Sequence, residues 1–170
     1  MTRADAAERS AREATELCAD LGYRLYEWSG RFALALVAAA RGEREACVDT
    51  CRAMLEWAGP RRLGRLESWA HHVLAAAALG DGDFEAAHAH AVALAPAGTL
   101  GSHNPQALWA AMGLVDAALH TGRDDEARAH AEAMRAADLG RLSPRFALST
   151  GAALAMVAPD ADARGASRRR

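Results

Sequence analysis

Hydrophobic and polar residues follow one another along this chain with helical rather than strand spacing, in segments broken by glycine and proline. The pattern predicts eight helices, over 3–20, 24–41, 43–58, 62–80, 83–95, 104–121, 123–138 and 144–157. The short breaks each centre on a glycine: Arg41-Gly42-Glu43-Arg44, Gly80-Asp81-Gly82-Asp83 and Thr121-Gly122-Arg123-Asp124. Glycine supplies the left-handed residue that ends one helix, and the acidic residues after it favour the first turn of the next. The longer breaks hold prolines: Gly59-Pro60, Ala95-Pro96 with Asn104-Pro105, and Ser143-Pro144. Proline is tolerated at a helix start, where its absent N–H has no partner to lose.

Gly42, Gly82 and Gly122 are forty residues apart, and other positions fall into step with them. Leu34, Leu74, Leu114 and Leu154 coincide under this shift, as do Ala38, Ala78, Ala118 and Ala158. Trp69 and Trp109 coincide, with Trp28 one place out of register. Beyond the glycine, Cys47, Ala87 and Ala127 align, then Cys51, Ala91 and Ala131. Each unit therefore reads as a first helix, running from the tryptophan to the glycine, then a tight turn and a second helix. Such periodicity marks an array in which each unit buries its apolar face on its neighbours.

The unit resembles a tetratricopeptide repeat. That family places a small residue after a Gly-Asp-aromatic turn, and Gly82-Asp83-Phe84-Glu85-Ala86-Ala87 matches well. Gly122-Arg123-Asp124-Asp125-Glu126-Ala127 matches in part, and Gly42-Glu43-Arg44-Glu45-Ala46-Cys47 most loosely. The period of forty departs from the usual thirty-four of that family. The expectation is an all-α, tetratricopeptide-like solenoid of helical hairpins. It forms one domain over 1–158, an N-terminal helix plus three and a half hairpins, followed by a disordered tail over 159–170. The fourth unit supplies only its first helix, so the array is expected to break off within a unit, as a fragment or truncated reading frame would. Phe146, Leu148, Leu154, Met156 and Val157 of helix 144–157 should then form an exposed apolar patch, with self-association or poor solubility as the consequence.

Composition narrows the chemistry. Alanine makes up roughly a quarter of the chain, which favours helix. Aromatic residues are 5% and β-branched ones are sparse, which disfavours strands. All 20 basic residues are arginine. Without lysine there is no complete P-loop and no Schiff base, which removes pyridoxal-type chemistry and lysine aldolases, and no cofactor is expected. Net charge is −2 with scattered basic residues, which lacks the stripe that nucleic-acid contact requires. The run Arg168-Arg169-Arg170 reads as a frayed end. The polar N-terminal twenty residues contain no signal-peptide core, no apolar run is long enough to span a bilayer, and an odd count of three cysteines suits a reducing compartment. A cytoplasmic protein is expected.

Three clusters could carry chemistry. His71 or His72 could meet His90 across a hairpin, but no third ligand at metal spacing completes a site, and no His-Glu-x-x-His occurs. His90 and His130 are repeat-equivalent, which suggests an exposed face of the second helices. Cys47 and Cys51, four apart on one helix face, align with alanines and so read as small buried residues rather than a redox pair. Ser102-His103-Asn104 lacks a nucleophile elbow. No catalytic or metal-binding residue is expected. Trp28, Trp69 and Trp109 begin the first helices, which line the concave face in tetratricopeptide-like arrays. With His72, Met112 and Asp116 beside them they are candidates for binding a protein partner or small effector. Packing between successive units is the alternative role for the tryptophans.

From Tyr23 to about Ala158 the wording resembles one family more closely. The carrying stretches are Tyr23-Arg24-Leu25-Tyr26-Glu27-Trp28, Pro96-Ala97-Gly98-Thr99-Leu100-Gly101-Ser102-His103-Asn104-Pro105-Gln106-Ala107-Leu108-Trp109, Leu114-Val115-Asp116-Ala117-Ala118 with Thr121-Gly122-Arg123, and Leu142-Ser143-Pro144-Arg145. They are similar to the helical-repeat region of the large ATP-binding LuxR-type transcriptional regulators of actinomycetes. Those regulators carry an ATPase before this region and a helix-turn-helix after it, and neither motif occurs here. The resemblance implies a non-enzymatic sensor or relay module; a free-standing tetratricopeptide-like adaptor is the alternative, and a small histidine-based enzyme ranks below both.

Overall fold

The computed structural model describes residues 2–158, and among these it is all-helical, with eight α-helices and no strand. The helices are α1 (Arg3–Asp20), α2 (Arg24–Arg41), α3 (Arg44–Ala58), α4 (Gly64–Gly80), α5 (Phe84–Leu94), α6 (Pro105–His120), α7 (Asp124–Ala136) and α8 (Pro144–Met156). Short 3-10 turns, Gly59–Arg61 and Leu139–Arg141, lie in the connections before α4 and α8. The expected tail 159–170 and its three arginines lie outside the described residues.

Glycine and capping side chains set the boundaries. Gly42, Gly82 and Gly122 adopt φ of 72°, 73° and 72°, a conformation in which an L side chain would meet its own backbone. Each lets the chain reverse within a few residues. At the other ends, Asp83 accepts from the Ala86 N–H, Asn104 from Gln106 and Ser143 from Phe146, filling donors that the first helical turn leaves open. Thr2 and Asp5 form a reciprocal capping box at the start of α1.

The helices form two interleaved sets. The even-numbered helices pack on one another in succession, α2 on α4, α4 on α6 and α6 on α8. Each of α3, α5 and α7 packs on the even-numbered helices before and after it, and α1 packs on α2. Small residues line these seams. Cys47, Cys51 and Met54 of α3, Ala87, Ala91 and Leu94 of α5, and Ala127, Ala131 and Met134 of α7 are all buried. So are their counterparts on the preceding helices, Ala35 and Ala38, Ala75 and Ala78, Val115 and Ala118. Cys47 and Cys51 therefore stand at scaffold positions. Contact with Cys47, and then burial, push the Cys51 thiol up, while the same contact lowers Cys47.

The apolar patch expected on the last helix is narrower than the sequence suggests. Phe146 is buried against α6 and α7, and Leu154 and Val157 are half-covered by the same cluster. Leu148 and Met156 remain exposed. His130 reverses its expectation: it lies at 1% exposure, because the long connection after α5 folds over it.

At Gly30, α2 crosses α1 without room for a side chain. A Cβ there would lie 2.2 Å from Thr15 Oγ1 and 2.8 Å from the Ala11 carbonyl oxygen. Gly151 in α8 has nothing within 4 Å of that position. Gly30→Ala should destabilise the fold by about 1–3 kcal/mol through overpacking, whereas Gly151→Ala should stabilise it by about 0.5–1 kcal/mol through helix propensity. Urea unfolding of dilute protein followed by circular dichroism measures both, and equal effects from the two would contradict the crossing described here.

Candidate functional site

The even-numbered helices carry most of the exposed aromatic chemistry. Trp69 stands on the first turns of α4 and stacks on Phe32 of α2 with ring centroids 4.8 Å apart. Its outer edge lines a cavity of about 500 Å³, with Arg65 and Ser68 on α4 and His103, Asn104 and Gln106 at the start of α6. Asn104 is anchored there: its amide donates to the Leu94 carbonyl at 3.0 Å while its oxygen caps α6. His72, one turn beyond Trp69, faces the Phe32 ring at 6.4 Å.

A second, smaller cleft of about 80 Å³ continues the same surface between α4 and α6. His72 and Leu79 line one side, and Trp109 and Gly113 the other. Trp109 is 44% exposed. It leans on Phe146 of α8, and the Arg145 guanidinium sits 4.8 Å over its indole ring. Burial lowers the pKa of His72, and the positive charge of Arg145 adds to the effect, so Arg145 reaches the electrostatic range of this cleft. His72 Nδ1 is buried with no hydrogen-bond partner among the described residues.

The structure thus brings Trp69, His72 and Trp109 onto one surface. Trp28 is elsewhere: it is buried against Trp57 of α3 at 5.6 Å, with Arg31 over its ring. Its one-place shift in the sequence turns it from the row of Trp69 and Trp109 into the hairpin seam. Met112 packs with the α6–α7–α8 core. Asp116 pairs with His120 at 3.3 Å, and that imidazole stacks on Phe84. Arg65, Arg145 and Phe32 were missed by sequence reasoning, yet the repeat contains a signal for each. Arg65 and Arg145 stand at equivalent positions two units apart, and Phe32 shares its column with His72 and Met112. Among the described residues, no carboxylate lies within ion-pair distance of Arg65 or Arg145.

The histidine pair across the α4–α5 hairpin is His71 with His90, Nδ1 to Nδ1 at 3.1 Å. One ring must donate and the other accept, which two neutral rings can do, and burial disfavours an added proton on either. Among the described residues, no group of three or more His, Cys, Asp or Glu side chains is placed to hold a metal. His130 accepts from the Gly98 N–H through Nδ1 at 3.2 Å, which puts its own proton on the unpartnered Nε2. His88 instead meets Glu126 at 2.8 Å, tying α5 to α7.

No protein-family model, no curated protein and no solved structure matches this chain. No helix among the described residues is long and apolar enough to cross a membrane.

The buried imidazoles make the fold acid-sensitive. Burial pushes His130 down to about 4 from 6.5, and it lowers His71, His72 and His90 as well. The unfolded chain binds these protons near pH 6.5, and the folded chain binds the His130 proton only near pH 4. The stabilisation is therefore complete above pH 6.5 and declines as pH falls from there towards 4. Urea unfolding between pH 8 and pH 4 should show this decline; a flat profile through pH 5 would mean that His130 is solvated.

Proposed function

We propose that this chain is a cytoplasmic, non-enzymatic helical-repeat module, a tetratricopeptide-like stack of forty-residue hairpins. In this reading it binds an effector or a protein partner on the surface of its even-numbered helices. The observation that carries the reading is the continuous strip formed by Trp69, His72 and Trp109 with Arg65 and Arg145. Indole faces offer large contact area with little rotamer entropy to lose. The two arginines, free of carboxylate partners among the described residues, favour an occupant that carries negative charge beside an aromatic or aliphatic body. Successive packing of α2, α4, α6 and α8 supports the solenoid reading, since that helix set lines the concave side in tetratricopeptide-like arrays.

The regulator assignment rests on the wording of the sequence, above all the stretch Pro96 to Trp109. That stretch folds over His130 and supplies Asn104 to the start of α6, so its composition serves both the connection and the rim of the larger cavity. We assign the chain on this basis to the sensor region of a LuxR-type transcriptional regulator.

Two measurements test these claims separately. Anilinonaphthalene sulfonate, an aromatic anion, should bind the strip, and its fluorescence can be titrated in a Leu148→Arg background that removes the apolar patch on α8. Arg145→Ala or Trp109→Ala should weaken binding roughly tenfold, the loss expected for one charged hydrogen bond or one aromatic anchor. Unchanged binding in both variants would remove the strip as a site. Sequencing the DNA on both sides of the coding region should find a Walker A sequence upstream or a helix-turn-helix downstream. Unrelated neighbours with their own start and stop signals would favour the free-standing adaptor.

A further inference from the structure

We propose that His71 and His90, facing each other across the α4–α5 hairpin, form a two-histidine site for a divalent transition-metal ion of the zinc and copper class, with its remaining coordination positions filled by solvent or a small ligand. The site lies apart from the strip. His71 is turned to α5, whereas its neighbour His72 faces Phe32 of α2 and lines the cleft with Trp109 of α6. Binding at the pair is therefore independent of any occupant of the strip. The two Nδ1 atoms are 3.1 Å apart. Imidazole nitrogens bound about 2.0–2.1 Å from one metal lie about 2.9 Å apart at the right angle of tetragonal copper(II) and about 3.3 Å apart at the tetrahedral angle of zinc. The observed spacing falls between these values. A linear, two-coordinate ion would require about 4 Å.

The hairpin itself brings the ligands together. His71 stands near the middle of α4 and His90 near the middle of α5. Small buried residues, Ala75 and Ala78 on one helix and Ala87 and Ala91 on the other, keep the two backbones close. Without an ion, one ring donates its Nδ1 hydrogen to the other. With an ion, that hydrogen moves to Nε2 of the same ring, and both Nδ1 lone pairs are given to the metal with no net release of a proton. A modest turn of each ring about its Cβ–Cγ bond, a soft torsion in histidine, aims the two lone pairs at one point. Both rings are half-buried, so each Nε2–H keeps its hydrogen bond to solvent. The surrounding charge favours a cation. Glu67, one turn before His71, acts on that ring, and Asp83, at the start of α5, acts on His90. His72 instead feels the positive charge of Arg145. No third histidine, cysteine or carboxylate stands at ligand distance among the described residues, so the protein supplies two ligands and leaves the site open.

Calorimetric titration of the full chain with zinc chloride or copper(II) chloride tests the proposal. One ion per chain should bind with a Kd on the order of 10–100 µM, because the protein supplies half the ligands of a closed zinc site. His71→Gln and His90→Gln should each weaken binding roughly tenfold or more, since either removes the chelate, and the double variant should be little worse. His120→Gln, at an exposed histidine beside Asp116, should leave binding unchanged. Calcium chloride should not bind, since calcium takes oxygen ligands. Circular dichroism checks that the variants keep their helicity. Electron paramagnetic resonance of the copper(II)-loaded wild type needs no variant and should show two coordinated imidazole nitrogens. No binding up to about 1 mM metal overturns the proposal, as does a spectrum with a single nitrogen. So does binding that survives in either glutamine variant, which would place the ion at other histidines. Calcium binding as tight as that of zinc would also overturn it, because carboxylates would then hold the ion.

Discussion

The helices of this chain come together through alanine. At the seam between a first helix and its second, the residues on both sides are alanine, cysteine or valine, with one methionine or leucine at the end of each seam. Small side chains let two helix backbones approach more closely than leucine-lined helices can. Close approach in turn gives each contact a fixed depth and register, because a methyl group fills its space in one way only. In the α4–α5–α6 region the seam is almost wholly alanine, with Ala78, Ala87 and Ala117 at its centre. The rest follows from this constraint. Turns must be short enough to bring such surfaces face to face, which requires glycine at φ near 72° at three equally spaced positions. Larger side chains are displaced to the edges of the seams, and the indoles of Trp69 and Trp109 end up on the surface of the even-numbered helices.

Much of this was legible in the sequence because it depends on local pattern. Helix starts follow Asn104, Asp83 and Ser143, helix ends follow the glycines, and the alignment of Cys47 and Cys51 with alanines identified them as seam residues. What was not legible depends on rotation and on contacts between distant residues. Which of two adjacent histidines would face His90 is decided by a rotation of about 100° around α4, and the structure chooses His71. The same rotation takes Trp28 out of the row that Trp69 and Trp109 occupy. His130 was read as exposed by analogy with His90, but the connection after α5 is longer than its counterparts and lies across α7 at that point, so Gly98 reaches its imidazole. Repeat equivalence transmits the fold of a position, not the loops that happen to cross it.

The polar side chains inside the stack mark where equivalence breaks down. His71 and His90 share one hydrogen bond, His88 is tied to Glu126, and His130 is covered by a connection of the third hairpin's approach. His71 and His90 use one ring nitrogen each for their shared bond, and His130 accepts through Nδ1 while its Nε2 has no partner. A buried imidazole is adequate at neutral pH and becomes a burden once it is protonated. The middle of the stack, built from the smallest side chains and the most imidazoles, should therefore be the first part to loosen in acid.

An alanine seam also has a consequence at the two outer helices. A face of small residues buries little area by itself, so α1 and α8 can each expose half a seam and remain folded on α2 and α6. Such a face is nevertheless specific: it accepts a helix at a fixed depth and rejects one with bulky residues at those positions.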